Sequence, residues 1–284
     1  MIEAPTTFGH AGQLRAKDSD HDPRRPDFPF DKVVIDLRDC RFIRPAAVLW
    51  CLIYPLLVRQ RGIECEVLGP LNKGVATYLM SVGLFSTLRV RGVVVDDRGL
   101  QQRMDSQIIL PLTEFSSTSE AEQTASNVSD GLQSTHLVAA NLVPDIGEAF
   151  AELANNAAEH SESEVSSYGL VQFYDFGAGR TVVCAVADGG IGIRASLAKN
   201  PEYEFRLPYD WIAIEYATEE RISSSGSPTR GIGLYGVSEE MQRGGRQLGI
   251  HSGIGAHVVS GDSHAPARRP NLFPGTVAFA SVPC

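Results

Sequence analysis

The sequence predicts an α/β protein of two domains. Three observations predict it. In the first hundred residues, short apolar runs alternate with longer runs of helical period, a strand–helix–strand–helix rhythm. Further on, a long amphipathic run is followed by strand-like runs joined at glycine-bearing turns. The chain also has 284 residues, 43% hydrophobic and 21% charged, enough for two modest domains each with its own core.

Residues 1–29 include Asp18-Ser-Asp-His-Asp-Pro-Arg-Arg-Pro26, polar and without period, which predicts a flexible arm. Lys32 to Leu37 reads as the first strand. A helix pattern starts at Pro45, with Leu49, Ile53, Leu56 and Leu57 on one side, and Gly62 ends it. Its apolar stretch, Ala46 to Val58, falls short of the roughly 20 residues that span a bilayer. It reads as a buried core helix. Glu64 to Leu68 is a second strand, closed by Gly69-Pro70. Asn72 to Leu84 reads as a second helix, and Val90 to Val95 as an edge strand. Gln107 to Leu112 adds a short apolar segment. The polar, serine-rich Glu114 to Ser119 marks the junction, giving a first domain over residues 30–116.

Residues 117–284 make the second domain. Glu120 to Leu132 predicts a helix. The next helix, with Pro144 in its first turn, carries Glu152-Leu-Ala-Asn155-Asn156-Ala-Ala-Glu159-His160. Tyr168 to Tyr174 and Arg180 to Ala187 read as strands, with a hairpin turn at Asp175 to Gly179. Helices are expected around Asp210 to Ile222 and from Gly233 to Arg243, the latter capped by Gly244. Gln247 to His251, Ala256 to Val259 and Thr276 to Val282 supply further strands.

The helix around Glu152 has two faces. Ile146, Ala149, Phe150, Leu153 and Ala157 recur at helical spacing and share a buried side. Glu148, Glu152, Asn156 and Glu159 fall opposite. A carboxylate and a carboxamide one turn apart present oxygens to one point, which suits magnesium. The same face serves equally as solvated surface. Asp188 follows a buried strand and precedes Gly190 and Gly192. Its carboxylate can accept from the exocyclic amine of adenine in an apolar slot, or sit in an ordinary Asp-Gly turn. Gly231, Gly233 and Gly236 lead into a helix, where backbone N–H groups and the dipole favour phosphate, with Arg230 as a nearby cation. They read otherwise as loop glycines. The long stretch before them, ending in Ser223 to Pro228, has the length and composition of a lid.

Four stretches stand in order: Glu152 to His160, Ala187-Asp188-Gly189-Gly190-Ile191-Gly192-Ile193, Thr229-Arg230-Gly231-Ile232-Gly233-Leu234-Tyr235-Gly236-Val237, and Pro274-Gly275-Thr276-Val277-Ala278-Phe279. Together they resemble the N, G1, G2 and G3 boxes of the GHKL (Bergerat-fold) ATPases, over roughly Glu120 to the C-terminus. The resemblance implies a two-layer α/β sandwich, a mixed sheet with helices on one face, that binds ATP and Mg2+. It implies that Asp188 reads adenine with support from Thr276, and that Asn156 ligates magnesium. Asn155, His160, Gly190, Gly192, Ile193, Arg230, Gly231, Gly233 and Leu234 would contact the nucleotide. Glu152 would orient or deprotonate the nucleophile. With water as nucleophile the protein is an ATPase; with a substrate serine it is a protein kinase. Family members often carry asparagine where Gly189 stands.

The first domain is similar to STAS domains, through Val33-Val-Ile-Asp-Leu-Arg-Asp-Cys-Arg-Phe-Ile43 and Tyr78-Leu-Met-Ser-Val-Gly-Leu84. That likeness implies an interaction module. Anti-sigma antagonists of that family carry a phosphorylated serine at the start of the first helix. Here that place reads Arg44-Pro45-Ala46-Ala47, without a hydroxyl.

Composition excludes other classes. A net charge of −9 argues against a nucleic-acid-binding surface. The five cysteines are scattered, without metal spacing, as in reduced cytosolic proteins. No secretory signal is visible at the N-terminus. No histidine lies in a dimerisation-helix motif, which argues against an orthodox histidine kinase. The expectation is a cytoplasmic regulatory ATPase that couples nucleotide state to an unidentified regulatory protein partner, with no membrane and no nucleic acid involved. The alternatives are a serine kinase acting on a separate STAS protein and an ATP sensor that hydrolyses nothing. The oligomeric state stays open, a homodimer included.

Overall fold

The computed structural model describes residues 1–8, 21–97, 99, 107–175, 179–219, 233–261 and 263–284. They form a mixed α/β protein in which parallel and antiparallel sheets are kept apart. The N-terminal sheet has the order β1-β3-β5-β6, from β1 (Ile2–Glu3), β3 (Lys32–Asp36), β5 (Glu64–Leu68) and β6 (Val94–Asp96), all parallel. A small parallel pair joins β2 (Thr7–Phe8) to β4 (Phe42–Ile43). Helices α1 (Pro45–Gln60), α2 (Lys73–Ser81) and α3 (Leu84–Val90) connect the strands.

The C-terminal sheet has five strands in the order β10-β11-β9-β8-β7. They are β7 (Ile108–Phe115), β8 (Ser167–Asp175), β9 (Arg180–Asp188), β10 (Gln247–Ser260) and β11 (Ser263–Pro283). Around it lie α4 (Thr118–Thr135), α5 (Val143–His160), α6 (Gly192–Leu197), α7 (Asp210–Ala217) and α8 (Gly233–Glu240). Ser117 caps α4 by accepting the Glu120 N–H at 3.3 Å.

Several expectations are corrected here. Among the described residues the C-terminal sheet is not mixed: its four strand pairings are all antiparallel. Its strands are joined as hairpins, β8 to β9 and β10 to β11, and hairpins make antiparallel neighbours. Nor do helices cover only one face. Val182, Cys184 and Val186 of β9 pack in one core with α4 and α5, while Ala185 and Ala187 pack in the other core with α1. Burial on both faces is why β9 is apolar at successive positions instead of alternating. The junction also shifts. β7, placed in the first domain by its position before the serine-rich stretch, pairs with β8 and is an edge of the second sheet.

Residues 1–8, expected in a flexible arm, form β1 and β2, because Ile2, Ala4 and Phe8 find buried places. The Tyr54 hydroxyl donates to the His21 carbonyl at 3.1 Å, and Arg61 donates to the Pro23 carbonyl at 3.0 Å, so the described end of the arm is also tied down. The single helix expected from Asn72 to Leu84 is broken at Gly83, which adopts φ +87° and starts α3.

α1 explains how the two sheets share a centre. Every residue from Pro45 to Val58 is buried, as expected of a helix that is hydrophobic all round. It lies between the N-terminal sheet and the C-terminal sheet, within one core that draws on both. Trp50 stacks on Tyr54 at 5.0 Å, and Phe8 meets Trp50 edge-on at 5.8 Å. Pro45 begins the helix, and no hydroxyl stands at its start.

This shared core predicts cooperative unfolding. Trp50→Ala should destabilise the whole chain by about 3–5 kcal/mol. Of the two tryptophans only Trp211 then remains, in the C-terminal half. Urea unfolding followed by Trp211 fluorescence and by far-ultraviolet circular dichroism should show one coincident transition at reduced midpoint. A parent-like fluorescence midpoint with a split dichroism curve would mean that α1 is not common to both halves.

Candidate functional site

A cavity of about 700 Å³ lies between α5, α6, α8 and the ends of β9, β10 and β11. That size suits a drug-sized or cofactor-sized molecule. Its sheet floor is apolar, from Val186, Ile250 and Ala278, and Leu153, Ile193 and Leu197 continue that character on the helices. α5 forms the long wall. Its apolar stripe, Ile146, Ala149, Phe150, Leu153 and Ala157, is buried in the core, which commits the polar stripe to the cavity.

Asp188, at the end of β9, lines the cavity and is only 5% exposed. Burial pushes its carboxyl up to about 6, while the N–H groups of Gly190 and Thr276 and the charge of Arg24 pull the other way. The Gly190 N–H donates to its Oδ1 at 2.8 Å. The loop after it folds tightly against the end of α5. The Ile191 N–H donates to the Ser161 carbonyl at 2.8 Å, and a side chain on Gly190 would collide with that carbonyl. Gly192 adopts φ +81° and opens α6.

Strand register sets the polar groups beside Asp188. Thr276 of β11 is directly opposite Asp188 of β9, and Ser252 of β10 is directly opposite Thr276. The Ser252 hydroxyl lies 3.1 Å from the Thr276 hydroxyl, donates to the Gly275 carbonyl at 3.1 Å and accepts the Ile193 N–H at 2.9 Å. Ser252 therefore fastens α6 and the Gly275 turn to the same end of the sheet. It was missed in the sequence, because a serine inside a strand carries no signal until its register is known.

The polar stripe of α5 places Glu148, Glu152, Asn155, Asn156, Glu159 and His160 along the cavity. Burial, with like charge from Glu159 and then Glu148, raises the Glu152 carboxyl above its ordinary range. Asn156 donates Nδ2 to the Glu152 carbonyl at 2.8 Å, which leaves its carboxamide oxygen as an acceptor. The Asn155 Oδ1 is buried without a hydrogen-bond partner among the described residues. A buried acceptor left unsatisfied is costly unless something donates to it. Arg246, its side chain 11% exposed, joins Asp145 of α5, at 2.7 Å, to Glu240 of α8. It braces the cavity's two helical walls, and no local pattern points to it, because its partner Asp145 is 101 residues away.

Of the residues expected at a site, Glu152, Asn155, Asn156, His160, Asp188, Gly192, Ile193, Leu234 and Thr276 converge on this one cavity. Gly190 shapes the Asp188 loop without lining the cavity, and Gly233 begins α8. Arg230, Gly231 and the stretch Ser223 to Pro228 lie outside the described residues.

The donor set fits an adenine nucleotide in one respect: an apolar slot closed by a buried carboxylate. Among the described residues, no group of three histidines, cysteines or acidic residues could hold a metal. A cation beside Asn156 would therefore need ligands from a bound phosphate and water, as magnesium commonly takes. The chain matches no protein-family model and no curated protein.

Asp188 makes a stability prediction independent of any ligand. Its folded value of about 6 lies above the ordinary 3.8. The folded state therefore binds the proton more tightly, and stability falls as pH rises from about 4 through 6, then levels off. Asp188→Asn removes this loss. Without nucleotide, the variant should be more stable than the parent by roughly 1–2 kcal/mol at pH 7.5, with the difference shrinking toward pH 4. Urea midpoints across that range check it; a pH-independent difference would refute the buried ionisation.

Proposed function

We propose that the chain is a Mg-ATP-binding regulatory ATPase of the GHKL type, with a Bergerat-type C-terminal half and a STAS-like N-terminal unit. The observation that carries this reading is Asp188, a carboxylate 5% exposed at the end of an apolar slot, opposite Thr276. A buried carboxylate destabilises the fold unless a ligand or neighbour donates to it. Adenine's exocyclic amine is such a donor, and guanine lacks one at that place. The convergence of the α5 stripe on the same cavity supports the same reading.

In this reading each residue has a task. Asp188 accepts from the base, and Val186, Ile193 and Ile250 enclose it. Asn156 offers its carboxamide oxygen to magnesium, which when bound neutralises charge on the phosphates. Glu152 takes a proton from the attacking water as its oxygen bonds to the γ-phosphorus and the bond to the ADP leaving oxygen breaks. Its raised carboxyl favours that work, since a general base performs best when poised nearer neutrality. Turnover should therefore rise with pH as Glu152 ionises. The regulatory role rests on the N-terminal unit, which packs on the back of the nucleotide-binding sheet through α1.

The residues should fail differently. Asp188→Asn should weaken ATP binding by roughly 1–3 kcal/mol, measured by calorimetry. Asn156→Ala should lose the magnesium-dependent part of ATP affinity. Glu152→Ala should keep most of that affinity and lose turnover by about 10²–10⁴-fold in single-turnover experiments. If both α5 variants bind and react like the parent, the stripe is solvated surface. Labelled phosphate appearing on protein instead of in solution would replace hydrolysis with serine-kinase activity. A parent that binds ATP but never turns over would make the chain a sensor.

A further inference from the structure

The loop that carries Asp188 is held from outside its own domain. Arg24 lies in the segment before the first long strand, 166 residues away in sequence, and donates Nη1 to the Gly190 carbonyl. Its guanidinium is fixed by Asp22, which accepts Nε at 2.9 Å and Nη2 at 2.6 Å. Fork-to-carboxylate pairing of this kind sets orientation as well as charge. The side chains of Arg24 and Asp22 are only 29% and 16% exposed, so this is a packed contact. A second contact comes from α1. A Cβ on Gly189 would stand 3.0 Å from Leu57 Cδ2, so the space beside Gly189 is already occupied by the N-terminal unit.

Resting on the adenine-reading role of Asp188, we propose that Arg24 is a positioning residue for nucleotide binding, supplied by the N-terminal segment. It fixes the Gly190 peptide, whose N–H donates to Asp188, and it places a positive charge near that carboxylate. One cation thus holds the peptide that donates to the base-reading group and also favours that group's ionised form. Gly189 is the companion feature: a larger residue there would press on Leu57 and lift the loop from α1. The first unit thereby becomes part of the nucleotide site's second layer, and anything that displaces residues 21–26 loosens adenine recognition.

The charged groups around Asp188 come from several elements. Arg24 and Asp22 approach from the N-terminal segment. Glu148, Glu152, Glu159 and His160 of α5 and Glu240 of α8 line the same cavity. The strands contribute uncharged Thr276 and Ser252, and α1 contributes apolar Leu57. Among the described side chains, Arg24 is the one whose charge bears on Asp188, less strongly than the Gly190 and Thr276 N–H groups, and it favours the ionised form. Loss of Arg24 should leave Asp188 protonated at higher pH.

The test is ATP affinity between pH 5.5 and 8 in magnesium, for the full-length parent, Arg24→Gln, Arg24→Lys and Asp188→Asn. Arg24→Gln should bind roughly twofold more weakly near pH 6, about 2.5-fold more weakly at pH 5.5, and like the parent at pH 8, an acid limb moved up by about half a pH unit. Titration of the nucleotide's own phosphates is common to all four and cancels in the ratios. Arg24→Lys keeps the charge and should recover most of the acid limb. Equal weakening of Arg24→Gln at every pH overturns the charge role, and parent-like binding by Arg24→Gln at every pH while Asp188→Asn binds poorly overturns the assignment whole. Parent-like binding by Asp188→Asn overturns instead the adenine-reading role on which it rests. Should Arg24→Gln unfold, Arg24→Lys carries the test: it must follow the parent's acid limb, and an affinity loss independent of pH refutes the charge role.

Discussion

Keeping one carboxylate ionised at 5% exposure is the constraint around which the C-terminal half is built. An isolated buried charge would cost several kcal/mol, so Asp188 must be surrounded by donors that no side chain displaces. The Gly190 N–H can turn toward it only because Gly190 lacks a Cβ that would strike Ser161. The Thr276 backbone meets it only because β11 is in register with β9 at that position. Ser252 then secures the Gly275 turn and the start of α6 around the same point. The cavity's form follows from these few bonds: α6 and the strand ends make its floor, and α5 is held close enough for Ser161 to accept the Ile191 N–H.

The second constraint is α1. A helix with no polar side cannot end a domain, because it would expose apolar surface wherever it lay. It is satisfied by being covered on one side by the N-terminal sheet and on the other by β8, β9 and β11. The antiparallel sheet thereby loses the solvent-facing side that such sheets often keep. β9 is apolar on both faces until Asp188, where it runs out of the core and into the cavity. The transition from apolar strand to buried carboxylate marks the point where the site begins.

Much of this was legible. The amphipathic period of α5 fixed which side was wall and which was core, and Asp188, Gly190 and Gly192 announced a tight loop after a strand. Pro45 and the apolar run behind it predicted a buried helix. What stayed hidden depended on long-range pairing. Nothing local distinguishes Ile108–Phe115 as a strand of the second sheet instead of the first; only its pairing with Ser167–Asp175 does. Ser252 and Arg246 act through partners 24 and 101 residues away. Arg24 sits in a polar run whose composition reads as loose chain, and its role appears only where the fold brings Gly190 beside it. Composition registers average polarity, whereas a packed polar segment needs only a few well-placed partners.

The Asp188 loop touches three bodies at once. Its start faces the cavity, Gly189 meets Leu57 of α1, and Gly190 lies between Ser161, just past the end of α5, and Arg24 of the N-terminal segment. Coupling between distant parts of a protein needs an element whose arrangement both parts bias. Here that element is a three-residue turn held by a handful of hydrogen bonds, without the bulk of a core to fix it. A ligand that donates to Asp188 favours the arrangement in which Gly190 N–H and Arg24 are both engaged. A partner that draws the N-terminal segment away favours the opposite one. The two influences are linked reciprocally, since they act on the same bonds. In the proposed reading, the N-terminal unit is thus placed to sense the cavity from behind, through the loop that carries Asp188.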